Sequence, residues 1–199
     1  MAYFAVQSAH GKLGVFVFGV LLGASAWAGG DHSHGHSRHN DATHVHGTGE
    51  MEIVQDGNGL FINLYTPLQN VLGFEHTPRT DTEKVKARRV ASLLKANGLF
   101  AFSPAAQCKR TGYTLHSDVL NPHAHGPADD HQHHDSRNEH SDLHAAYEFE
   151  CTAPAQLKVI DVRVFRQFSG FEKIEVQALF LSGQVGASLT PAKSTLVIQ

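Results

Sequence analysis

The stretch Asn121–His144 limits what this chain can fold into more than any other feature. It places His123, His125, His131, His133, His134, His140 and His144 among the acids Asp129, Asp130, Asp135, Glu139 and Asp142, with almost no apolar side chain between them. Such a segment buries too little apolar area to offset the entropy of ordering it. It therefore predicts a disordered His-rich insertion at 121–144, with the folded core built from the segments on either side. Neutral imidazole is the commonest protein ligand for borderline divalent ions, and interleaved carboxylates add hard oxygen donors. The insertion reads as a loop able to take up several metal ions.

The first 28 residues read as an export signal. Lys12 precedes the apolar run Leu13–Leu22, and Ala26-Trp27-Ala28 supplies a small-x-small cleavage site. That run is too short to cross a bilayer, and no later run approaches the roughly 20 residues required, so no stable membrane anchor is expected. Cleavage would leave a His-rich tail over 29–42, carrying His32, His34, His36 and His39, followed by a single domain over 43–199. The mature chain has 15 basic against 19 acidic residues, which gives no reason to expect nucleic acid as partner. Its histidines should charge as pH falls through about 6.5, and metal affinity should fall with them, because protons compete for the ligating nitrogens.

Cys108 and Cys151 flank the insertion. In an exported chain a lone pair of cysteines reads first as a disulfide, here closing a loop of 44 residues. Such a loop contributes about 4 kcal/mol in the chain-entropy model. The alternative is soft ligation of zinc or copper(I) by one or both thiolates, which the absence of a CxxC spacing disfavours.

Hydrophobic alternation supplies the scaffold. An alternating run opens at His44-Val45-His46 and continues through Gly49, Met51 and Ile53 to Asp56-Gly57-Asn58-Gly59, a hairpin turn signal answered by Leu60–Tyr65. Pro67 closes that strand, and residues 73–78 follow as an irregular loop. Thr80-Asp81-Thr82-Glu83 is a capping box that opens a helix with Ala87, Val90, Ala91 and Leu94 on one stripe, Lys84, Lys86, Arg88 and Arg89 outside, and Asn97-Gly98 as the expected C-cap. Leu99–Phe102 adds core. Further strands are expected over Gly112–Leu120, Ala145–Cys151, Leu157–Phe165, Glu172–Leu181, Gln184–Leu189 and Ser194–Ile198. Eight strand candidates and one good helix give class α+β, a mainly antiparallel β-sheet with one well-formed helix packed on it. Strand order is not readable from this pattern.

Three groups of histidines are candidate metal ligands: the insertion, the tail at His32, His34 and His36, and a scaffold set of His44, His46 and His76. On a strand, residues i and i+2 share a face about 6.6 Å apart, so His44 and His46 would form a two-imidazole grip. With His76 they would leave one tetrahedral position for water, a histidine or a carboxylate. Glu75 is the candidate to orient His76. Against each stands a plainer reading: solubilising arms for the His-rich stretches, a loop hydrogen bond for His76, and a structural role for His116. Imidazole also suits copper and nickel.

His44-Val45-His46-Gly47, Gly73-Phe74-Glu75-His76-Thr77-Pro78, the cysteines around a His-rich insertion, Phe165-x-x-Phe168 and Gly183-Gln184 together resemble the ZrgA-type periplasmic zinc-binding proteins, a group long filed as a domain of unknown function. The resemblance covers nearly all of the mature chain. It implies a zinc-regulated periplasmic protein that captures Zn²⁺, several ions per chain, and assists uptake by delivering to a zinc ABC importer, through its solute-binding protein or its permease. The other reading is a zinc-dependent hydrolase with zinc on His44, His46 and His76, a bound water as nucleophile and Glu75 as base. Neither an HExxH motif nor a nucleophile elbow supports it.

Overall fold

A computed structural model describes residues 45–120 and 141–198. Two sheets share one core. The larger holds β4 (Cys108–His116), β5 (Asp142–Cys151), β2 (Gly59–Pro67), β1 (Thr48–Asp56), β7 (Lys173–Phe180) and β8 (Gly183–Leu189), in that spatial order. All its pairings are antiparallel except β1 with β7. The smaller, antiparallel sheet is β3 (Phe100–Phe102), β6 (Val159–Val162) and β9 (Thr195–Val197). One long helix, α2 (Asp81–Lys95), joins two single-turn helices, α1 (Gln69–Leu72) and α3 (Val164–Gln167). The α+β class with a mainly antiparallel sheet and one well-formed helix is what the alternation predicts. No helix of the described residues is long and apolar enough to cross a membrane.

Alternation sorts the large sheet into two faces. Met51 and Ile53, Leu60, Ile62 and Leu64, Tyr147 and Phe149, and Ile174 and Val176 are buried on one of them, each large side chain contributing about 1.5–3 kcal/mol of transfer free energy. Helix α2 covers this face with Ala87, Val90 and Leu94, and the Tyr147 hydroxyl donates to the Leu94 carbonyl at 3.1 Å. The small sheet covers the rest, Phe100 meeting Tyr147 and Phe102 meeting Phe149 edge to face. Thr80 and Glu83 form the expected capping box.

Several boundaries differ from expectation. The helix ends at Lys95 with Ala96 as cap, not at Asn97-Gly98, because Arg110 reaches across from β4 and donates to the carbonyls of Lys95 and Ala96 at 2.7 and 3.0 Å. A cation there satisfies the orphan carbonyls and the negative end of the helix dipole. The Leu157–Phe165 alternation yields a strand only at Val159–Val162, and Val164 and Phe165 bury from the single turn of α3 instead. Asp161 fixes that break by accepting from Arg163, Arg166 and Ser194. β4 runs from Cys108 to His116 and not from Gly112 to Leu120. Finally, β5 begins at Asp142, so His144 belongs to an ordered strand and not to the insertion.

Cys108 and Cys151 are bonded, as expected. They face each other at the first pairing of the β4–β5 ladder, whereas the chain leaves and re-enters that ladder at the opposite end, where His116 faces His144. The bridge ties the far end of the hairpin, and the histidine pair stands at the root of the insertion.

Candidate metal centre

His46 does not sit on a strand. It lies in a turn that precedes β1, closed by the Thr48 N–H on the Val45 carbonyl at 3.0 Å. Gly47 takes a left-handed φ of 82°, a backbone conformation that favours glycine, and a Cβ there would also push on the Glu172 carboxyl carbon at 3.0 Å. The turn is pinned from below by Asn70 of α1, which is only 3 % exposed. Its side-chain oxygen accepts from Gly47 N–H at 2.7 Å, while its amide donates to the Thr48 carbonyl and the Thr66 hydroxyl, both at 2.9 Å. The partners fix the amide orientation, since an N–H must meet the oxygen and a carbonyl must meet the nitrogen. From above, the Gly47 carbonyl accepts from the N–H groups of Glu172 and Lys173.

This frame presents the His46 ring outward against the irregular loop. His46 Nε2 lies 2.9 Å from Glu75 Oε1, the ring side chain 55 % exposed and the carboxylate 11 %. A carboxylate that accepts from one ring nitrogen leaves the lone pair on the other, Nδ1, for a metal. The sequence suggested that Glu75 orients His76; its carboxylate lies instead on the His46 ring. His76 turns the other way: its Nδ1 donates to the Thr77 carbonyl at 3.0 Å, its Nε2 is 3.8 Å from Glu83 Oε1, and its ring stacks on Phe74. Glu83 is held below the usual carboxylate range, first by the Thr80 backbone N–H. Among the described residues no three His, Cys, Asp or Glu side chains converge on a metal position. His44, His32, His34, His36, His123, His125, His131, His133, His134 and His140 lie outside the described residues.

The remaining ordered histidines lie on the open face of the large sheet. His116, His144, Tyr65, Glu50 and Glu175 are successive register partners across β4, β5, β2, β1 and β7. His144 stacks on Tyr65 with centroids 4.3 Å apart, and its Nε2 is 3.3 Å from Asn63 Oδ1. Burial and then neighbouring His116 lower the His144 pKa, opposed by Glu52. A histidine depressed in the folded state resists a proton that the unfolded chain accepts, so stability is full above the ordinary imidazole range and declines as pH falls through it. Metal-free His144→Gln should therefore lose less stability than the parent between about pH 7.5 and 5, read as the change in urea midpoint at the two pH values; equal losses would refute it.

The sequence does not point to Asn70, whose role comes from hydrogen bonds to a turn more than 20 positions away, nor to Asn63 and Tyr65, whose roles come from register. For His144 a signal was available, since Leu143 is buried and extends the alternation of Ala145, Tyr147 and Phe149 by one step.

No curated protein matches the chain. The model of one family does, described as ZrgA family zinc uptake protein and matching residues 43–198. That span runs from the segment ahead of β1 to the residue after β9. It takes in His46 with Glu75, the His116–His144 pair, both cysteines and the whole insertion. By that match the chain belongs to the ZrgA family of zinc uptake proteins.

Proposed function

We propose that this protein captures Zn²⁺ in the periplasm and passes it toward uptake, delivering to a zinc ABC importer through that importer's solute-binding protein or permease. The observation that carries the reading is membership of a zinc uptake family in a chain with 16 histidines among 199 residues. Export through the N-terminal signal agrees with the Cys108–Cys151 disulfide, which an oxidising compartment allows. The tail at His32, His34 and His36 and the insertion histidines His123, His125, His131, His133, His134 and His140 raise the local ligand concentration. His46 and His44 supply the scaffold site, with Glu75 orienting His46, and His76 joins them by turning its ring away from the Thr77 carbonyl and Glu83. In the hydrolase reading Glu75 would serve as base, yet its oxygen lies on the His46 ring nitrogen, the place of an orienting carboxylate.

A scavenger holds several ions per chain, and a catalytic protein one or two. Calorimetric titration of the metal-free protein with Zn²⁺ should give a stoichiometry of several ions, with affinity falling as pH drops through the imidazole range. A stoichiometry of one ion or none sinks the reading.

A further inference from the structure

We infer that His116 and His144 form a separate, ordered zinc site on the open face of the six-stranded sheet, at the root of the β4–β5 hairpin. The inference rests on the zinc-handling reading, and it places an ion on residues outside the scaffold set. The two residues are direct cross-strand partners, the closest approach a sheet offers two side chains. Their ring centroids are 5.6 Å apart. Two imidazoles on one tetrahedral zinc, with Zn–N of about 2.05 Å and about 1.1 Å more to each ring centre, stand roughly 5.2 Å apart. The backbone register therefore already sets the spacing that chelation needs. The ring planes are 20° from parallel, so one ring must turn to bring its lone pair onto the ion. His116 is exposed and can do so.

His144 is the fixed half of the pair. Tyr65 stacks against its ring, and Asn63 Oδ1 faces Nε2; accepting a hydrogen bond from Nε2–H leaves the lone pair on Nδ1, the arrangement typical of a ligating histidine whose second nitrogen is held by an oxygen acceptor. Along the same face Glu52 is the register partner of Asn63, Glu50 that of Tyr65, and Glu175 that of Glu50. These acids lend the surface the negative potential that attracts a cation. With two protein nitrogens and water in the other positions, the ion stays open to an incoming ligand. The site suits handing zinc on more than storing it.

The test follows ring nitrogens of the ¹⁵N-labelled protein in long-range ¹H–¹⁵N correlation spectra during titration with Zn²⁺ alone. The expected result is that His144 Nδ1 and one nitrogen of His116 shift together and saturate together, while His144 Nε2 keeps its proton. His116→Ala should abolish the His144 response and remove one ion from the stoichiometry. Asn63→Ala should weaken the site about tenfold and leave the His46 response unchanged. Unmoved His116 and His144 rings while other histidines respond would overturn this site alone. No response at any histidine would overturn it together with the zinc-capture reading.

Discussion

Replacing residues 121–140 by a short Gly-Ser linker is expected to lower the number of zinc ions bound per chain while shifting Tm by no more than about 3 °C. The segment removes six histidines, His123, His125, His131, His133, His134 and His140, and contains no Val, Leu, Ile, Met, Phe, Tyr or Trp. Nothing in its composition can contribute core. The β4–β5 ladder is meanwhile paired from Cys108 with Cys151 to His116 with His144, with one bulge between Arg110 and Gly112, and Leu143 and Leu115 are buried at its end. Shortening the connection can only reduce the entropy of closing it, by about 0.6 kcal/mol per halving of length. Calorimetry and thermal unfolding on the same preparation check both halves of the expectation. An unchanged ion count would remove the insertion from zinc capture, and a chain that no longer folds would make it structural.

The parts of this fold legible in the sequence are those decided by neighbours in the chain. The Thr80–Glu83 box starts α2 where expected because both hydrogen bonds span only three residues. Gly57, with φ 56°, turns β1 into β2 for the same reason. Tyr147 and Phe149 face the core because alternation fixes a face. Alternation cannot name a partner, however, and partners place the candidate site. The parallel pairing of β1 with β7 sets Glu175 beside Glu50 from 125 positions away. The HxH pattern predicted a strand grip, but the left-handed Gly47, held by Asn70, Glu172 and Lys173, puts His46 in a turn instead. Glu75 and His76 are adjacent in sequence, yet one reaches His46 and the other Glu83. Family resemblance supplied zinc; it did not supply the cross-strand meeting of His116 and His144.

Asn70→Ala is expected to destabilise the protein by about 2–4 kcal/mol and to weaken zinc binding at His46 roughly tenfold. Truncation strands the Gly47 N–H and takes one partner each from the Thr48 carbonyl and the Thr66 hydroxyl, which keeps its bond to the Pro67 carbonyl, in a place only 3 % exposed. Loss of stability alone would describe any buried asparagine, so the two readouts must be separated. The His46 ring nitrogens report the turn directly, since Gly47 follows His46 and its N–H is the group Asn70 holds. Gly170→Ala disturbs the same contact from the other side: its Cβ would stand 2.4 Å from the Asn70 carbonyl oxygen, forcing α1 or the 168–171 backbone to move while the asparagine side chain is retained. If Asn70 positions the histidine, both variants shift the His46 zinc midpoint and leave that of His144 in place, because His144 takes its support from Tyr65 and Asn63. An unchanged His46 midpoint in destabilised but folded Asn70→Ala would reduce the residue to a structural bolt. It would also move the scaffold site away from the turn ahead of β1.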